Sequence, residues 1–274
     1  MISVITGASA GIGAAAAVAL AEAGHEVVLV GRSSARLAAV ADRIAGRSGR
    51  RPDVAVADFT SFQDVTRLAA DLLDRYERID VLAGNAGIMS TRRRLTPDGH
   101  ELMMQVNHLS PFLLTNLLLD RVRASGGRVV TTSSGAARAG RLDPADLDRS
   151  RRRWSGWLQY CDSKQANALF TLALARRGVA ATCFHPGVVR TGFAPDSLYM
   201  KALMLLPGVA RTPERGARTL VHLATTADGT EHSGRFFFDD APAPATPRMT
   251  DPVAAESLWT ASLAATGLSA PGPG

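Results

Sequence analysis

Strand-like and helix-like patterns alternate through almost the whole chain, and that alternation restricts the fold more than any other feature. Residues 2–6 form a short apolar run ending in glycine, and residues 11–24 a small-residue helix pattern stopped at Gly24. Residues 25–30 read as a buried strand, and 33–47 as a helix with Ser33 or Ser34 as its N-cap. A third strand (53–58), a third helix (61–76) and a fourth strand with its turn (79–87) follow. Residues 98–122 predict a long helix interrupted near Pro111, and 128–133 a fifth strand. After a polar, irregular stretch at 135–155 comes a strongly helical segment at 157–177 and a sixth strand at 179–184. A helix at 213–226, a seventh strand at 235–239 and a helix at about 251–266 complete the series.

Strands separated by helices pair in parallel through right-handed crossovers. The expected fold is therefore α/β: a doubly wound parallel sheet of Rossmann type, about seven strands flanked by helices, with its ligand crevice beyond the carboxyl ends of the strands. The chain has 274 residues, with no internal repeat and no linker long enough to divide it. One domain over 1–268 is expected, with a flexible Gly/Pro tail at 269–274.

Composition removes several classes of function. The two cysteines, Cys161 and Cys183, have neither metal-ligand spacing nor a histidine cluster beside them, which excludes a disulfide framework or metal site and fits a reducing, cytoplasmic setting. No basic leader precedes the first strand, and the apolar stretches at 12–21 and 166–175 fall short of the roughly 18 residues of a membrane span. Neither a secretory signal nor stable membrane insertion is expected. The net charge of +6 does not point to nucleic acid. Lysine occurs only at Lys164 and Lys201, so 29 of the 31 basic residues are arginine, a bias of the whole sequence. The clusters at 92–94 and 151–153 carry no interleaved aromatic residues.

Gly7, Gly11 and Gly13 lie between the first strand and the first helix, where a tight turn aims helix N-terminal N–H groups at a pyrophosphate. The end of the second strand then chooses between dinucleotides. A carboxylate there would accept from the ribose of NAD(H), but this chain has Gly31, Arg32 and Ser33. A guanidinium binds a 2′-phosphate, so NADP(H) is expected over NAD(H).

Tyr160 and Lys164 stand four residues apart on one helix face. An ammonium near a phenol favours phenolate and brings its pKa toward neutrality, which makes a usable acid or base. The bland alternative is an incidental pair on an amphipathic helix. A lysine in a chain that otherwise uses arginine speaks for a need for its compact charge.

Thr6–Gly13 (TGASAGIG), Asn85–Gly87 (NAG), a serine after the fifth strand and Tyr160–Lys164 (YCDSK) resemble the short-chain dehydrogenase/reductase family, and residues 185–193 (HPGVVRTGF) extend the match. Residues 106–119 and 212–224, with the long gap from Ser134 to Tyr160, are most similar to its retinol-dehydrogenase-like and protochlorophyllide-reductase-like members. The resemblance implies Tyr160 as proton donor in carbonyl reduction and base in the reverse direction. It implies Ser134, with Ser133 as the alternative, as hydrogen-bond donor to the substrate oxygen, and Lys164 on the nicotinamide ribose, lowering the Tyr160 pKa. It gives Asn107 a water relay behind Lys164. For the dinucleotide it implies Gly7, Ser9, Gly11, Ile12, Gly13, Arg32 and Ser33, then Asp58 (adenine), Asn85 (ribose and central strand), Ala86 and Gly87, and finally Pro186, Gly187, Val189 and Thr191 (carboxamide) together with Tyr160 and Lys164. Asn107 could instead bridge a helix kink, Thr191 cap a helix and Asp58 end a strand. Two positions depart from the family: Gly84, more often Asn, and Ala10, where some NADP enzymes carry Arg or Lys.

A substrate lid is expected at about 190–211, rich in Phe, Leu, Tyr and Met, which suits a hydrophobic small-molecule substrate. Residues 135–155, with Trp154 and Trp157, offer a second wall; packing against the core or a neighbouring subunit is the alternative. His185 reads as a structural turn residue. The resemblance implies homodimerisation through 98–122 and 157–177, although members with longer inserts before the tyrosine motif can be monomers. Three functions stay open: an NADPH-dependent carbonyl or enone reductase, a dehydrogenase working mainly toward oxidation, and a non-catalytic dinucleotide sensor. The intact Ser134, Tyr160 and Lys164 argue against the last.

Overall fold

A computed structural model describes residues 1–189 and 210–269. The lid expected at about 190–211 lies, apart from its last two residues, outside them, as do Thr191 and all but the first residue of the tail. Seven parallel strands form the sheet: β1 (Ile2–Thr6), β2 (Glu26–Gly31), β3 (Asp53–Val56), β4 (Val81–Gly84), β5 (Arg128–Thr132), β6 (Ala180–His185) and β7 (Phe236–Phe238). An eighth, β8 (Ala241–Pro242), pairs antiparallel with β7, giving the order β3-β2-β1-β4-β5-β6-β7-β8. The sequence predicts seven strands. The eighth is two residues long and contains a proline, so it has no periodicity to read, and only an edge accommodates it.

The sheet is covered on both faces, which is why its strands are continuous apolar runs rather than alternating ones. On one face, α1 (Gly11–Glu22), α2 (Ser34–Ser48) and the helix Pro213–Thr225 bury Ala17, Leu20, Leu37, Ile44 and Leu220. On the other, α3 (Phe62–Arg75), the long helical segment, α6 (Gly156–Arg176) and the helix Pro252–Thr266 bury Leu68, Phe112, Leu169, Phe170 and Trp259. Ser33, Ser61 and Ser155 cap α2, α3 and α6 by accepting from Arg36, Asp64 and Leu158 N–H groups. No helix among the described residues is long and apolar enough to cross a membrane.

The long segment departs from expectation in an instructive way. It runs as α4 (Leu102–Met104), a π-helical turn (Gln105–Leu109) and α5 (Ser110–Ala124), so the irregularity precedes Pro111 instead of breaking the helix there. The Ser110 N–H reaches back five residues to the Gln105 carbonyl. Pro111 has no N–H to offer Asn107, and the wider turn begins the segment that accommodates its ring.

The insert at 135–155 is also more ordered than its polar sequence suggests. It contains two 3-10 turns, Gly135–Ala139 and Pro144–Asp146, and is fastened along one face of α6. Gln159 Nε2 donates to the Leu147 carbonyl (2.9 Å), Asp162 Oδ1 accepts from Arg141 N–H (2.8 Å), and Gln165 Oε1 accepts from Leu142 N–H (3.0 Å). Asp162 Oδ2 accepts from Arg149 Nε at 2.8 Å, with side-chain exposures of 0% and 7%. With that face of α6 occupied, Tyr160 and Lys164 project from another.

Removing one partner of a buried ion pair leaves the other charge uncompensated. Asp162→Ala should therefore cost about 3–5 kcal/mol in denaturant unfolding, and Arg149→Met/Asp162→Leu should recover most of it. A double variant as unstable as Asp162→Ala would show that packing, not charge, holds the insert.

Candidate active site

The site lies beyond the carboxyl ends of β1, β4 and β5, and it begins with a joint beneath the glycine turn. Asn85 Nδ2 donates to the Thr6 carbonyl (3.0 Å), while Asn85 and Ala86 N–H groups both donate to Thr6 Oγ1 (3.0 Å). Thr132 Oγ1 donates to Asn85 Oδ1 (3.3 Å), so the ends of three strands meet at one amide. The helix must pass close above it. A Cβ on Gly13 would stand 2.4 Å from the Gly7 carbonyl oxygen and 2.6 Å from Asn85 Nδ2. Gly7 has φ +68°, and a Cβ there would lie 2.9 Å from Ala86 Cα.

The upper side of the turn is different. Ala10 occupies the N-cap of α1 and supplies no side-chain acceptor, and the first turn holds no acid. Its N–H groups are therefore available to an anion, and the helix dipole favours one. Arg32 is exposed just past β2, beside Gly31, where a Cβ would make ordinary contacts of 3.4–3.6 Å with Leu37 and Ser9. The Ser33 hydroxyl accepts from Arg36 N (3.4 Å) as the cap of α2 and keeps its own proton to donate, beside Arg32, the cation of this strand end. Asp58 follows β3, and its Oδ1 accepts from Thr60 N–H (3.0 Å), closing a turn. Gly87 precedes Ile88, whose backbone N–H and carbonyl are both gripped by Asn107. These residues fit a dinucleotide laid across the switch point, with the turn for its pyrophosphate.

Past β6, Pro186 and Gly187 turn the chain; Gly187 has φ +83° and donates to His185 Nδ1 (3.3 Å). A Cβ on Gly187 would meet Arg211 Nε at 2.6 Å, and Arg211 is ion-paired with Asp239 (Nη2–Oδ2 2.9 Å). Val189 pairs with Arg211, and its side chain packs with Ile12 over Gly216. This segment thus arrives beside the first turn of α1. His185 stacks on Phe238 (5.2 Å), and burial, reinforced by Arg138 and Arg211, pushes its pKa down to about 4. It is a neutral turn residue. The Arg211–Asp239 pair went unnoticed in the sequence, which offers no local signal for a contact spanning 28 residues.

Tyr160, Lys164 and Ser134 come together at the centre. Lys164 is 2% exposed, donates to the Thr132 carbonyl (3.1 Å), and sits 5.8 Å from the centroid of the Tyr160 ring. Burial pulls its ammonium down to about 8. Burial also pushes the Tyr160 phenol up to about 12, against a hydrogen bond from Ser134 that acts to lower it; this is opposite to the fall toward neutrality expected from the Lys164 ammonium, because burial dominates here. Ser134 caps the Gly135–Ala139 turn, whereas the Ser133 hydroxyl points inward to the Lys164 carbonyl (2.8 Å). Asn167 Nδ2 shares the Thr132 carbonyl with Lys164 (3.1 Å), a support that the sequence did not single out.

Asn107 lies in the π turn with its side chain fully committed: Oδ1 accepts from Ile88 N–H (2.7 Å), and Nδ2 donates to the Ile88 carbonyl (3.0 Å) and Ser163 Oγ (3.0 Å). Its backbone carbonyl has no N–H to accept from four residues on, because that residue is Pro111. Because burial raises the Tyr160 pKa and the Ser134 hydrogen bond lowers it, Ser134→Ala should move the phenol further up from about 12. Ultraviolet difference titration against Tyr160→Phe checks this, and an unchanged or lower value would contradict it.

Comparison with known proteins agrees with this geometry. The short chain dehydrogenase family model matches residues 1–200. A Streptomyces sp. (strain C5) protein assigned as a daunorubicin C-13 ketoreductase is 43% identical over 265 residues, covering 96% of this chain and 91% of its own. Human retinol dehydrogenase 13 is 34% identical, covering 98% of this chain and 85% of its own. Among solved structures, a short chain dehydrogenase of Escherichia coli CFT073 complexed with NADPH superposes with a TM-score of 0.70 at 28% identity, covering 86% of this chain and 95% of that one. The chain belongs to the short-chain dehydrogenase family and is one of its oxidoreductases.

Proposed function

We propose that this oxidoreductase uses NADPH to reduce the carbonyl of a hydrophobic ketone or aldehyde. The observation that carries the reading is the buried Tyr160–Lys164 pair with the half-buried Ser134 hydroxyl on the phenol, set beside an uncapped helix N-terminus at the switch point of the sheet. Bound NADPH supplies a hydride to the carbonyl carbon. Tyr160 gives its proton to the carbonyl oxygen, and a phenol raised to about 12 holds that proton at neutral pH until the oxygen becomes basic. Ser134 donates a hydrogen bond to the same oxygen, which strengthens as charge develops there. Lys164, near 8, returns a proton toward the phenolate, with a water on the Asn107 carbonyl behind it.

NADPH is favoured over NADH by Arg32 at a strand end that lacks an acid, and the Escherichia coli neighbour was solved with NADPH. The Asn85 amide, Asp58 and the Pro186–Val189 turn serve the remaining dinucleotide contacts. The Streptomyces relative, named for ketoreduction, supports the reductive direction. The retinol dehydrogenase relatives favour a second reading, in which the same residues oxidise an alcohol and Tyr160 takes the proton. The reading treats 1–268 as one catalytic domain in a cytoplasmic setting, consistent with two buried, unbridged cysteines.

Arg32→Ala should raise the Kd for NADPH by about tenfold or more, the loss of a charge-assisted hydrogen bond, with little change for NADH. Gly31→Asp, for which the backbone has room, should move preference toward NADH. Equal effects of Arg32→Ala on both cofactors would count against the assignment. Tyr160→Phe should bind NADPH normally and lose most turnover; a fully active variant would remove Tyr160 from the mechanism.

A further inference from the structure

Trp157 stands one helical turn before Tyr160 on α6, so the two side chains share a face. Its ring lies 6.3 Å from the Tyr160 ring at an interplanar angle of 38°. It is 52% exposed, whereas Tyr160 is 9% exposed. Leaving an indole half in water keeps a large apolar ring uncovered.

The backbone under Trp157 is held firmly. Ser155 caps the helix, and Gly156 is packed so closely on the segment after β4 that a Cβ would come within 2.2 Å of the Ser90 carbonyl oxygen. The Arg149–Asp162 pair fixes the insert that leads into it. Trp157 therefore stands half exposed on a fixed backbone, its ring against that of Tyr160.

We infer that Trp157 is the platform on which the substrate's ring system stacks, and that the preferred substrates carry a flat, conjugated ring framework beside the carbonyl. Offset stacking on the indole would hold such a ring while its carbonyl reaches Tyr160 and Ser134; a puckered ring of equal size gains no such contact. This rests on the carbonyl-reductase reading and goes beyond it by naming the shape that the site selects.

The test compares acetylnaphthalene with its saturated counterpart acetyldecalin, which has the same skeleton and nearly the same bulk. Trp157→Leu keeps an apolar side chain but loses the ring face, and should lower kcat/KM for acetylnaphthalene about fivefold relative to acetyldecalin, the size of one aromatic contact. Trp157→Phe should restore much of that selectivity. Calorimetric binding of both ketones to the complex with NADP+, which has no hydride to give, should show the same ordering without any turnover. If NADP+ binds and neither ketone is reduced, the reductase reading fails, while the binding comparison still decides the role of Trp157. Equal effects of Trp157→Leu on both ketones would overturn the inference. So would a variant that changed the oligomeric state in sedimentation and left selectivity intact, because Trp157 would then belong to a contact between copies of the chain.

Discussion

The junction of Thr6, Gly7, Gly13 and Asn85 governs most of what this molecule can do. One amide joins the ends of β1, β4 and β5, and the first helix passes over it at a distance that excludes a Cβ. β1 and β4 are neighbours in the middle of the sheet, where successive crossovers leave to opposite faces. A crevice opens there as a consequence of topology. The junction decides that the crevice floor is backbone and small side chains, with helix N–H groups directed upward from a turn that has no acid and no capping side chain. Anion binding is thus a by-product of packing the strand ends tightly.

The chemistry is built one step away, by burying charge and potential charge where the sheet supplies partners. Lys164 is almost entirely removed from water and is tolerable there because the Thr132 carbonyl accepts from it, at the end of a strand where that carbonyl has left the ladder. Burial draws the lysine toward 8 and the tyrosine toward 12. Opposite shifts from one cause strengthen the hold of the phenol on its proton and weaken that of the ammonium. Helix α6 presents both groups, and its remaining polar face, Gln159, Asp162 and Gln165, is spent on anchoring the insert. One helix therefore presents the Tyr160–Lys164 pair and anchors the insert.

The parts of this arrangement that were legible in the sequence are those encoded locally. Strand and helix periods, the Ser33 cap, the glycine turn and the four-residue spacing of Tyr160 and Lys164 all follow from near neighbours. Contacts across long separations were not legible. The Thr6–Asn85 junction joins residues 79 apart, and nothing near Asn85 announces its partner. The Asn107 amide grips Ile88 and Ser163 from within the π turn, contacts that no spacing in the sequence gives away. Asp162 sat unremarked inside the tyrosine motif because only the folded insert brings Arg149 to it. The eighth strand escaped notice because two residues, one of them proline, have no pattern.

The central claim is hydride transfer from NADPH to a carbonyl carbon with protonation by Tyr160. The most direct measurement uses NADPH deuterated at the transferable position, a hydrophobic aryl ketone and mass analysis of the alcohol. The account predicts one deuterium on the carbinol carbon for each NADPH oxidised, abolished in Tyr160→Phe while NADPH still binds. Binding of NADPH without deuterium transfer to any ketone or aldehyde, or transfer undiminished in Tyr160→Phe, would contradict it.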